Sequence, residues 1–168
     1  MKNGILFIMS LLLLASCNKG GVRNFEGEYS FKISGTIVLS ADNEDISVAL
    51  PAESGQMSIK QIEDDSVMVV MNIMNGDVLI TSGFVDDTKL ILNNFNRSIS
   101  QESSVLNGVS SNTYKCNVVV SGEGTMYDDM IVFTLQYNGN GTYKEGLNSE
   151  KDVTVVGTDI KMAAFKND

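Results

Sequence analysis

The chain has 168 residues and a formal net charge of −9, with 12 basic residues against 21 acidic ones. An acidic chain with scattered Lys and Arg is not built for nucleic acid, which demands clustered cations. Histidine is absent, so the side chain that titrates most cheaply near neutrality is missing, and we expect no enzyme, no cofactor and no metal.

Lys2 places a positive charge ahead of an apolar run, Ile5 to Leu14, broken only by Ser10. That run is about half of the ~20 residues a membrane-spanning helix needs. Charge, a short apolar segment and then the small residues Ala15 and Ser16 make the pattern of a secretory signal peptide. Leu14-Ala15-Ser16-Cys17 resembles the lipobox of bacterial lipoproteins. The resemblance implies a signal peptide at 1–16 that is removed, and a Cys17 that carries diacylglycerol on sulfur and usually palmitate or a similar acyl group on its new amine. One acyl chain holds a protein weakly, whereas two or more anchor it stably. The partner expected first is therefore a membrane, reached through the lipid at Cys17. Position 18 is Asn, where Asp resembles the inner-membrane retention signal. The segment "CNKGGVRN" also lacks the acidic stretch that accompanies surface export in this family. The expected location is the outer membrane of a Gram-negative cell, facing the periplasm.

Residues 17–24 then form the lipidated cysteine and a short tether, and 25–168 a single β domain. Loss of residues 1–16 leaves 152 residues, enough for one domain with a real core, and moves the charge from −9 to −10 because Lys2 goes with them. Cys116 is left as the sole unmodified cysteine, so no intramolecular disulfide can form. Its setting, "TYKCNVVVSG", reads as a strand with a buried small hydrophobe.

The first strand signal is "YSFKISGTIVL", with Tyr29, Phe31, Ile33, Ile37 and Leu39 on one face and Gly35 as a bend. "ISVAL" repeats the alternation at Ile46, Val48 and Leu50 before Pro51, the only proline. "VMVVMNIMNGDVLITSGF" reads as a hairpin about Asn75-Gly76, the preferred pair for a two-residue type I′ turn. That turn sets Ile73 opposite Val78, Met71 opposite Ile80 and Val67 opposite Phe84. One apolar face results, made of Val67, Val69, Met71, Ile73, Val78, Ile80 and Phe84, and it faces either a core or a ligand. "DDTKLILN" continues the meander through an acidic turn. Residues 96–112, rich in Ser and Asn, break the pattern and read as a connection with one helical turn. Strands resume at "TYKCNVVVSGEGTM", "MIVFTLQYNG" and "DVTVVGTDIKMAAF". An offset of 85 residues lays Tyr29 on Tyr114 and Ile46 on Ile131, so each half opens with a long hairpin of similar design.

Nine or ten strands joined by short turns imply an all-β domain, a single antiparallel meander barrel or alternatively a two-sheet β-sandwich. The lipobox, the short tether, the opening "GEYSFKISGTI" and the nearly helix-free meander together resemble the calycin-like lipoproteins of Gram-negative bacteria. The resemblance implies a lipocalin-like eight-stranded barrel over most of residues 25–165, although Gly27-Glu28-Tyr29 stands where typical lipocalins have Gly-x-Trp.

Catalytic constellations are lacking in the sequence. The pairs Asp64-Asp65, Asp86-Asp87 and Asp128-Asp129 fall at turns, where Asp bonds its own backbone. "DNEDISV" has neither the spacing nor the glycine of a calcium loop. The absence of Trp speaks against a glycan platform. Two functions remain: a barrel that binds a small apolar ligand, or a filled module that docks onto another envelope protein. A lined void favours the first; a packed interior with an exposed apolar patch favours the second.

Overall fold

A computed structural model describes residues 21–101, 105–106, 109–110, 112–146 and 148–167. The expectations placed on residues 1–20, the signal peptide 1–16 and the lipidated Cys17 among them, lie outside the described residues. Residues 21–24, read from the sequence as tether, belong to a short helix, α1 (Gly21–Phe25), whose Val22 and Phe25 are buried.

Period-2 alternation shapes the strands of the barrel wall. Tyr29, Phe31 and Ile33 of β1 (Gly27–Ser34) and Ile37 and Leu39 of β2 (Thr36–Ala41) all point inward. Gly35 bends the chain between them, at a spot where a Cβ would lie 2.8 Å from the Ile160 Cα. Asp42 and Asn43, with φ of 51° and 68°, make the two-residue turn into β3 (Glu44–Ala49), since both central positions of a type I′ turn need positive φ. After Pro51 the chain returns beside β1 as β4 (Glu53–Gln61). The meander continues through β5 (Ser66–Ile73), β6 (Val78–Asp86) and β7 (Lys89–Gln101). Two short bridges, β8 (Val105–Leu106) and β9 (Val109–Ser110), precede the long strands β10 (Thr113–Tyr127), β11 (Met130–Lys144) and β12 (Lys151–Lys166).

The main sheet runs β1-β4-β5-β6-β7-β10-β11-β12, and β12 closes onto β1 from Tyr29–Lys166 to Ser34–Lys161. This is a closed eight-stranded antiparallel barrel, and the sandwich alternative is excluded. Closure removes the open edges a sheet would otherwise expose. The β2–β3 hairpin extends the wall at one end, where Val38 to Ser40 pair with Thr154 to Val156 of β12.

The two ends differ. The base carries the turns at 62–65, 87–88 and 128–129, and α1 lays Phe25 into it. Here the Tyr29 hydroxyl donates to the Phe25 carbonyl at 2.8 Å. The base half of the interior is filled: Tyr29, Met57, Val67, Val69, Phe133 and Met162 all have 0% exposure. A void that admits water would leave its lining accessible, so no water-sized space lies among these side chains. The opposite end, the rim, carries the hairpin tips at 42–43 and 74–76 and the connections that follow Gln101 and Lys144.

Two sequence readings need correction. The β5–β6 turn is not a two-residue type I′ turn. The Gly76 N–H donates to the Ile73 carbonyl at 2.9 Å and the Ile73 N–H to the Asp77 carbonyl at 2.8 Å, with Gly76 alone at positive φ (99°). That is a three-residue loop of the type I plus G1-bulge kind. The register moves by one, to Asn72–Val78, Val70–Ile80 and Ser66–Phe84. A one-residue slip reverses a strand's faces. The second correction concerns residues 96–101, read as part of an irregular connection. They continue β7 and pair with β10 from Asn96–Val119 to Gln101–Tyr114. In place of the one helical turn expected within 96–112, the described residues 105–106 and 109–110 show a two-strand bridge.

Candidate functional site

Of the seven residues proposed for the ligand face, Val67, Val69, Met71 and Ile73 point inward and are buried in the packed core. Val78, Ile80 and Phe84 do not join them. The shifted register turns them outward, where they are 56%, 64% and 43% exposed. The inner face of β6 instead carries Leu79, Thr81, Gly83 and Val85. Cys116 is buried as expected, and burial pushes its thiol pKa up, away from nucleophilic use.

The polar chemistry sits elsewhere inside the barrel, toward the rim. Phe95, Arg97 and Ile99 alternate inward along β7, so one guanidinium is carried into an apolar wall. The Arg97 side chain is only 4% exposed. Its Nη1 donates to the Tyr137 hydroxyl on β11 at 2.7 Å, and its Nη2 forms an ion pair with Glu53 Oε2 at the start of β4. The guanidinium carbon lies 5.9 Å from the centre of the Tyr137 ring. These contacts tie three staves across the interior.

The electrostatics are close to balanced. A buried cation is tolerable only when paired, and Glu53 supplies the matching charge. Burial alone would lower the proton affinity of Arg97, but Tyr137 and Glu53 together outweigh it and hold the guanidinium firmly charged. Hydrogen bonding is less complete. Arg97 Nε and the Tyr114 hydroxyl are both buried and have no partner among the described residues. A buried unsatisfied donor costs about 1–3 kcal/mol, so native interiors rarely keep two together. Burial, with Cys116 and Glu53 adding to it and Arg97 partly offsetting it, pushes the Tyr114 pKa up to about 12. The phenol is therefore a neutral donor at physiological pH.

Tyr114 also forms part of a cleft at the rim. With Ile46 and Val48 of β3, Gln101 of β7 and Tyr143 of β11, it lines a partly open space of about 340 Å³. This volume is at the small end of ligand sites, which run from ~300 to ~1,000 Å³. A larger cleft of about 530 Å³ lies at the base, between α1 and the turns bearing Asp64, Asp65 and Asp87, and its lining is largely polar and charged. Among the described residues no group of three or more Cys, Asp or Glu is arranged to hold a metal ion, and no helix is long and apolar enough to cross a membrane.

Sequence reasoning did not find the Arg97 cluster. The signal was present in "NNFNRSISQ", where Phe95, Arg97, Ile99 and Gln101 keep a strand's alternation and put Arg in an apolar slot. The many Ser and Asn residues between them, all on the solvent face, hid it. No protein-family model matches this chain, and no curated protein sequence matches it.

Proposed function

We propose that this protein is a non-catalytic, lipid-anchored envelope barrel that binds a small, largely apolar ligand at its rim. The carrying observation is the asymmetry of the two ends. The base has the larger cleft, but its lining is largely polar and charged, and the buried tyrosine there has an acceptor. The rim keeps a more apolar cleft whose wall includes Tyr114, and the buried Tyr114 hydroxyl has no partner among the described residues. Preformed concave sites with a few convergent polar groups among apolar side chains are the usual places for small ligands. The ligand site is thus moved from the Val67–Ile73 face, which is core, to the rim.

Anchoring through Cys17, outer-membrane residence and a periplasmic orientation rest on the lipobox sequence. Metabolic labelling with palmitate, followed by fractionation of wild type and Cys17→Ala, tests that part. The reading expects label and membrane association in wild type alone, and membrane-bound Cys17→Ala would refute the anchor. Uptake of a neutral environment-sensitive dye by purified protein tests the binding part. No uptake, and no displacement by alkyl compounds, would remove it.

A second reading has its own support. Val78, Ile80, Phe84 and Met68 form an exposed apolar strip on the outer face of β5–β6. Such a strip suits an accessory subunit that docks onto an envelope protein, with the barrel as a rigid spacer. Pull-down from solubilised envelopes with Ile80→Lys as the control separates this from ligand binding, which that substitution leaves intact.

A further inference from the structure

Tyr29 and Tyr114 occupy corresponding places in the two long hairpins, and their hydroxyls meet opposite fates. Tyr29 donates to a backbone carbonyl that α1 brings into the base, from Phe25. At the rim the Tyr114 hydroxyl and Arg97 Nε are equally buried, yet no described residue supplies the corresponding oxygen. Building on the rim-binding reading above, we propose that the ligand supplies it, and that its polar head is an uncharged oxygen acceptor, such as an alcohol, ester or amide, and not a carboxylate or an amine.

The charge inventory selects the neutral head. Arg97 is already matched by Glu53, so the cluster carries no net charge. A carboxylate would place a second negative group in the same low-dielectric space as Glu53, and an ammonium a second cation beside Arg97. A neutral oxygen meets neither penalty and accepts from the orphaned Tyr114 hydroxyl. The neutral Tyr114 phenol holds a buried proton with no acceptor among the described residues, so the head must offer a lone pair. The Tyr114 hydroxyl is sealed although its side chain lines the cleft, so the head reaches it by displacing side chains at the floor of the cleft. The small cleft limits the apolar body to one short alkyl chain or ring system.

The test is calorimetric titration of the full chain bearing Cys17→Ala, so that no acyl chain competes, with 1-decanol, sodium decanoate and decylammonium at pH 8. The expected order is decanol first, by about tenfold or more, because only the charged heads suffer burial beside a matched ion pair. Tyr114→Phe should weaken decanol by roughly three- to tenfold, the worth of one hydrogen bond, while its melting temperature stays equal or rises. Glu53→Gln should move the preference toward decanoate by leaving Arg97 unmatched. Equal or tighter binding of decanoate by the Cys17→Ala chain overturns the inference, and so does unchanged decanol affinity in Tyr114→Phe. If none of the three compounds binds and the neutral dye is not taken up, the rim-binding reading itself falls. Dye uptake without the alcohol preference removes only the head-group assignment.

Discussion

Val69→Phe asks whether the barrel interior beneath the rim is solid. Val69 has 0% exposure and lies between Ile59 of β4 and Thr81 of β6 in the ladder. The substitution adds about four heavy atoms on an inward position with no accessible neighbour, and such overpacking costs ~1–3 kcal/mol. For a domain of this size that lowers the melting temperature by roughly 3–10 °C. Val69→Ala provides the opposite perturbation. Removing two buried carbons should cost about 1.6 kcal/mol in transfer energy, plus a cavity contribution of ~24 cal/mol per Å³ left unfilled. Urea unfolding followed by circular dichroism reads both variants, with the m-value as a check that the transition remains two-state. Destabilisation by both substitutions is the signature of a filled interior. A Val69→Phe protein as stable as wild type, beside a destabilised Val69→Ala, would reveal space next to β5 and return the ligand site to the Val67–Ile73 face.

Three further outcomes follow from the same geometry. Burial and, more weakly, Asp129 push the Tyr29 pKa up to about 12, and Tyr114 reaches about 12 as well. Above pH 10 the unfolded chain loses these protons while the folded chain keeps them. The associated stability is therefore complete below pH 10 and lost as pH rises toward 12, at up to ~1.4 kcal/mol per pH unit for each tyrosine. Chemical denaturation across pH 9–12 checks this, and a flat profile would contradict it. Arg97→Met strands Glu53 and the Tyr137 hydroxyl. Glu53 is partly exposed, so the loss should fall near the lower bound for broken buried pairs, about 3 kcal/mol, and adding Glu53→Gln should recover part of it in a double-mutant cycle. Gly76→Val meets no atom within 4 Å, so its effect is purely that of the positive φ, about 1–3 kcal/mol in a urea melt; no change would mean the loop is not the one described.

The barrel was legible because its hairpins alternate cleanly. Tyr29 to Leu39 and Tyr114 to Val120 keep period 2 over several residues, which marks an all-β domain, while the choice of barrel over sandwich comes only with the β1–β12 pairing. β6 was misread for a physical reason. Its two faces offer Val78, Ile80 and Phe84 against Leu79, Thr81, Gly83 and Val85, and hydrophobicity favours the first set. The interior there is too crowded for it. A Cβ on Gly83 would lie 2.6 Å from the Ile91 carbonyl oxygen and 3.0 Å from Leu90 Cδ1, so the inward face takes small residues and the larger ones go outside. The turn compounded the error, because Asn-Gly serves both a two-residue loop and a G1 bulge, and only the hydrogen bonds of Ile73 distinguish them. The Arg97 cluster was out of reach for another reason. Its members lie on β4, β7 and β11, with Glu53 and Arg97 separated by 44 positions and Arg97 and Tyr137 by 40, and only barrel closure brings them together.

The most direct test of the central claim is amide shift mapping by NMR of the Cys17→Ala chain during titration with 1-decanol. The account predicts saturable changes that centre on Ile46, Val48, Tyr114 and Tyr143. Changes centred on the outer strip of Val78, Ile80 and Phe84, or on Val67 and Val69, or no saturable change at all, would contradict it.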